Sequence, residues 1–195
     1  MKKIVLKSSL ITVGALAVVG ILIFSLWILI APQSMATVSE KLGNYNFAVT
    51  CANLKYKYSD ETADLARCAE DSILCGEDKL IIKYCEELID REDFNELCRR
   101  RDEELSRTQV GKYTTATNYN TYIIGTLAAA QYRAGDLEKA VKTAERGKTL
   151  DYFRKLVIEV FVNGTAEDKE RVQTLPEDPH IRESVSDFIK ILEEK

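Results

Sequence analysis

The chain divides by polarity before any other property. Ser8 to Ser39 holds no charged side chain, and Ile11 to Ala31 within it is almost wholly apolar. From Glu40 onward the sequence is densely charged. A helix crossing the hydrocarbon core of a bilayer needs about 20 apolar residues. Thirteen Leu, Ile, Val or Phe side chains lie between Ile11 and Ile30. At roughly −0.3 to −0.6 kcal/mol each, they favour insertion by about 4 to 8 kcal/mol. Pro32 ends this helix, and Trp27 stands where an interfacial aromatic belongs. The pattern predicts a basic tail over 1–7, a transmembrane anchor over 8–31 in contact with lipid, and a water-exposed domain over 32–195.

Beyond the anchor, apolar positions recur at helical spacing. Asp60 is placed to cap a helix from about 61 to 75, with Leu65, Cys68, Ala69, Ile73 and Leu74 inward and Gly76 as its stop. A second helix spans about 78 to 89, and a third runs from Phe94 to about 105. A polar loop follows over about 106–117. Residues 118–134 form a helix rich in small side chains, Gly135-Asp136 turns, and Leu137 to about 150 forms its partner. Tyr152 to Val162 is again helical and stops at Asn163-Gly164. Thr165 with Asp168 makes a capping box for a short helix to about 175. Asp178-Pro179 opens the last helix, whose one-sided pattern (Ile181, Val185, Phe188, Ile189, Leu192) suits the closing cap of a stack. The chain has three prolines and no long β-branched alternation outside the anchor, so the fold class is all-α.

Residues 118–151 resemble a tetratricopeptide repeat. The likeness lies in the small Ala128 on the first helix, the turn Ala134-Gly135-Asp136-Leu137, Ala140 and Val141 on the second, and Leu150-Asp151 at its end. Ala144, Gly147 and Tyr152 depart from the family pattern, which has an aromatic, an alanine and a proline there. Leu42-Gly43-Asn44-Tyr45 with Ala48-Val49 resembles the turn and second helix of another unit, and Cys75-Gly76-Glu77-Asp78 with Ile81 a third. Gly43 and Gly76 are 33 residues apart, near the family's period of about 34; Gly135 follows after 59, so the array is interrupted. The resemblance implies an antiparallel helix-pair solenoid that recognises a peptide or helix.

Charge orients the anchor. Lys2, Lys3 and Lys7 precede it, and the first acid after it is Glu40, so the positive-inside bias keeps the N-terminus cytoplasmic. The expected protein is a single-pass component of a bacterial cell membrane with its C-terminal domain outside the cytoplasm. The rival is a signal peptide cleaved after Ala36, although secretory apolar regions usually run about 7–15 residues. Gly14, Ala17 and Gly20 would let a second anchor approach, which leaves a homo-oligomer open. All 31 acids but only 24 of the 27 bases lie beyond residue 31, a net charge of −7. That balance argues against nucleic acid and against anionic headgroups as partners.

Candidate chemistry is sparse. None of the cysteines (Cys51, Cys68, Cys75, Cys85, Cys98) forms a CxxC pair, so the zinc spacing signature is missing. Hairpin turns at Gly76-Glu77 and Arg91-Glu92 would set Cys68 and Cys98 each opposite Cys85, which allows a disulfide; small buried core residues are the alternative. The single histidine, His180, opens the last helix and is a poor base for a distant thiol. No glycine-rich phosphate loop appears, and no cofactor is expected. Asn163-Gly164-Thr165 satisfies a glycosylation sequon, although helix stop and cap roles already explain it. Tyr113, Tyr119, Tyr122 and Tyr132 cluster about the first helix of the best repeat; they are candidates for a peptide groove or for packing between helices. The expected function is non-catalytic, a membrane-anchored scaffold that binds a protein partner, with a self-associating spacer or an enzyme with dispersed carboxylates as alternatives.

Overall fold

The computed structural model describes residues 2–107 and 118–194, and each secondary-structure element among them is an α-helix. α1 (Lys2–Ile30) is one unbroken apolar helix. Its segment Val13–Ile30 has a mean hydropathy of 2.8, and none of its residues is fully buried by the rest of the molecule. It is long and apolar enough to cross a membrane. Ala31 then leaves the helical region (φ −135°, ψ 58°), and Pro32 takes the first position of α2 (Pro32–Lys41), where its missing N–H costs nothing.

Short turns join the next helices. Gly43 adopts φ 72° after α2, and the Asn44 side chain accepts the Phe47 N–H at 3.2 Å to cap α3 (Tyr45–Ser59). α4 (Thr62–Cys75) and α5 (Asp78–Ile89) meet at Gly76, φ 78°. α6 (Phe94–Arg107) follows a charged turn pinned by the Thr62 hydroxyl, which donates to Asp93 Oδ1 at 2.6 Å. α7 (Tyr119–Arg133) begins beyond the polar loop, most of which lies outside the described residues. Gly135 (φ 93°) and the cap Asp136 lead into α8 (Leu137–Glu145). α9 (Leu150–Asn163), α10 (Ala166–Thr174) and α11 (Pro179–Glu193) complete the chain. Both bonds of the Thr165–Asp168 capping box form, and Asp178 caps α11 by accepting the His180 N–H at 2.9 Å.

Three local expectations are corrected. Asp60 does not open α4; it ends α3 in the left-handed region (φ 53°), and its carboxylate accepts from Arg91 at 2.5 Å. That partner is 31 residues away and invisible to a local rule. Leu74 points outward and is 55% exposed, because α4 turns its apolar face half a turn earlier, through Leu65, Cys68 and Ala69. The helix predicted from 137 to about 150 ends at Glu145, and the next helix begins at Leu150 rather than Tyr152. The Tyr152 ring folds over Gly147, where a Cβ would come within 2.0 Å of it, and Lys148 takes φ 54°.

Helices α2 to α5 pack each on the next, α5 then packs on α7, and α9 joins α7 to α11. Two apolar clusters result. Leu65, Cys68, Ile81, Leu88, Ile123 and Leu127 belong to the first, and Phe153, Leu156, Val157, Val172 and Val185 to the second. α7 serves both: Ile123, Ile124, Leu127 and Ala130 face the first cluster, and Ala128 faces the second. A helix apolar on all sides is one that other helices surround, and α7 is so placed. Full burial of one large side chain such as Phe153 contributes about 1.5–3 kcal/mol.

Candidate functional site

The candidate tyrosines are distributed rather than gathered. Tyr113 lies outside the described residues. Tyr119, at the first turn of α7, is 6% exposed; its hydroxyl donates to Glu70 Oε1 at 2.8 Å, and its N–H donates to Asp102 Oδ1 at 2.7 Å. Tyr122 is half-buried under the Lys155 ammonium, 4.3 Å from its ring centroid. Tyr132, near the other end of the helix, donates to Asp168 Oδ2 at 3.3 Å. It packs against the second core cluster, whereas Tyr119 and Tyr122 pack with the first.

All five cysteines are free thiols, and four of them are buried. Burial pushes Cys68, Cys85 and Cys98 up to about 12, with neighbouring Asp71 and Asp102 adding to the rise at Cys68 and Cys98. A thiol held so far above neutrality supplies almost no thiolate, the nucleophilic form. His180 is exposed at the start of α11. In packing terms the four buried cysteines act as small core side chains.

Sequence reasoning overlooked a carboxyl cluster, with Asp71 buried and Glu40 and Glu70 partly exposed, where α2, α4, α6 and α7 meet. α4 contributes Arg67, Glu70 and Asp71, α2 contributes Thr37 and Glu40, and α6 contributes Arg101. Arg67 donates through Nε to Glu40 Oε1 at 3.1 Å and through a terminal nitrogen to Thr37 Oγ1 at 2.8 Å. Arg101 lies 3.3 Å from Glu70 Oε1, the oxygen that also receives the Tyr119 hydroxyl. Asp71 is 2% exposed, and its Oδ2 has no hydrogen-bond partner. Burial raises the Asp71 carboxyl to about 7; the adjacent Glu40 carboxylate adds to the rise, and Arg67 opposes it. Glu70 is also raised by burial, against the pull of Arg101 and the Tyr119 hydroxyl. With its proton, Asp71 can donate to Glu40 and lose the repulsion between the two acids. The signal was present: Asp71 lies three residues after Cys68, on the apolar stripe of α4 rather than its wet face.

A second concavity of about 590 Å³ opens between α7, α8, α9 and α10. Tyr132, Arg133, Glu138, Glu159, Asp168 and Arg171 line it. Arg133 binds Asp78 through Nε at 3.0 Å and a terminal nitrogen at 2.6 Å, and reaches Glu159 with its other terminal nitrogen at 2.9 Å. One guanidinium thus ties α5, α7 and α9 together. Arg171 bridges α10 to Glu138 of α8 at 2.9 Å. On the same stretch of α9 as Glu159 and Asn163, Ile158 and Val162 are 46% and 69% exposed. Among the described residues no three His, Cys, Asp or Glu side chains converge as a metal site. Comparison with protein-family models gives no match, and none is found among curated proteins or solved structures.

Proposed function

We propose that α1 crosses a cell membrane and tethers, on its extracytoplasmic side, a non-catalytic helical module that binds a protein segment beside the bilayer. The observation that carries this reading is the pair Ile158 and Val162, one turn apart and open to solvent on α9, the helix that also lends Glu159 and Asn163 to the charged concavity. An exposed apolar pair one helical turn apart, with charged side chains on the same helix, is a surface on which an amphipathic helix or extended peptide can dock. The repeat reading gains support from its three turn glycines: Gly43, Gly76 and Gly135 all occupy the left-handed region. The high thiol pKa values and the exposed His180 weigh against cysteine catalysis. Asp71 is the feature that favours an enzyme with dispersed carboxylates, but its acidic neighbours Glu40 and Glu70 are each already engaged by an arginine.

The test is a photo-crosslinking residue at Val162, with Lys190 on α11 as control, in the full chain in its native membrane. The reading predicts one discrete protein adduct specific to Val162. Adducts between copies would favour a self-associating spacer instead, and equal labelling at both positions would refute the proposed site.

A further inference from the structure

Two side chains of the anchor, Phe24 and Ile28, meet the domain and fix how deep it sits. Phe24 of α1 and Phe47 of α3 stack with ring centroids 6.3 Å apart and planes inclined by 12°. Ile28 of α1 also packs against the first core cluster. The domain is therefore not hung on a free stalk.

Depth follows from helix geometry. At 1.5 Å per residue the run from Ile11 to Ala31 is about 31 Å long, which matches a hydrocarbon core of about 30 Å and places its outer edge near Ile30. Phe24 lies six residues earlier, about 9 Å along the axis, and helical side chains tilt toward the N-terminus, which carries its ring deeper still. A ring centred 6.3 Å from that of Phe24 stays at least about 3 Å inside the level of Ile30, even with the whole separation along the membrane normal. In α2 and the turn that leads into α3, the helix that carries Phe47, Val38 (38%) and Leu42 (78%) are exposed one turn apart. From Lys41 to Ser59 the sequence carries three lysines and no acid, a local reversal in an otherwise acidic domain.

We propose that the α2–α3 edge is seated in the outer margin of the bilayer, with Phe47 and Leu42 below the headgroups and Lys41 at their level. The occupant of this apolar edge is lipid, from the same bilayer that α1 crosses, and the inference rests on reading α1 as a span. Trp27 is the only tryptophan, so the wild-type chain reports on α1 itself. The experiment reconstitutes the full chain in phosphatidylcholine vesicles, with and without lipid brominated on the upper acyl chain. It compares wild type with Phe47→Trp, Leu42→Trp and Ile191→Trp, each made in a Trp27→Phe background. The expected result is a fall of about twofold in emission for wild type and for the probes at 47 and 42, as for rings below the headgroups, and little change for the probe at 191. Quenching of Trp27 with no quenching at either 47 or 42 overturns the seat and leaves the span standing. Absence of quenching in all four proteins overturns both. The solvent-exposed Leu42 position keeps the test decisive if Phe47→Trp fails to fold.

Discussion

Replacing Asp71 with Asn removes a buried titrating group while keeping its size and its capacity to donate to Glu40. In the folded chain the carboxyl is raised from 3.8 to about 7. Between those values the folded state holds a proton that the unfolded state has released. The sign is therefore opposite to that of an ion-paired acid: the stability contributed is complete below about pH 4 and is lost as pH rises toward 7. At 1.36 kcal/mol per pKa unit the whole loss is up to about 4 kcal/mol, of which about 2–3 kcal/mol falls between about pH 5 and pH 8. Asp168, lowered by its bonds to Thr165, and Asp60, lowered by Arg91, contribute in the other direction, present above about pH 4 and lost on acidification. The diagnostic quantity is thus the difference between variant and wild type, in which those contributions cancel. Urea unfolding of the full chain in non-ionic detergent, followed by circular dichroism, supplies it. Relative to wild type, Asp71→Asn should gain about 2–3 kcal/mol as pH is raised from about 5 to 8. A difference that stays flat over that interval refutes the assignment of a buried, proton-holding carboxyl at this position.

Other outcomes follow from packing and capping. Phe153→Ala, at a fully buried position, should cost about 3–5 kcal/mol in the same unfolding assay. Thr165→Ala removes one half of a formed capping box and should cost about 1 kcal/mol, with hydrogen exchange faster in the first turn of α10. Lys155 is lowered by burial, so at neutral pH its charge is held at a cost; Lys155→Met should leave stability unchanged or raise it, measured by thermal unfolding. Iodoacetamide should label Cys75 first in the native chain and the four buried cysteines only on unfolding, with five free thiols recovered by non-reducing mass mapping.

Much of the helical order is legible in the sequence, because local chemistry decides it. Asp178-Pro179 and Thr165-Asp168 announce helix starts, and Gly43, Gly76 and Gly135 announce turns, through bonds and dihedrals settled within four residues. What escaped depends on partners beyond that range. The left-handed Asp60 is held by Arg91, 31 residues away, while the early end of α8 at Glu145 turns on the Tyr152 ring that lies over Gly147, a side-chain contact that no cap or turn residue announces. The candidate site follows the same division. The tyrosines drew attention as a sequence cluster, but the three described ones, Tyr119, Tyr122 and Tyr132, are claimed by different elements through Glu70, Lys155 and Asp168. Asp71 reads as one more charge in an acidic chain until its place on the buried stripe of α4 is weighed.

The double allegiance of α7 sets how the domain fails under stress. Because Ile123 and Leu127 complete one cluster and Ala128 completes the other, neither half of the bundle can melt and leave the other intact. A chain truncated after residue 107 would leave Leu65 and Leu88 without their cover and should behave as an aggregation-prone fragment rather than a smaller domain. The amides of residues 123–130 should exchange only through global unfolding, so their protection reports the stability of the entire fold.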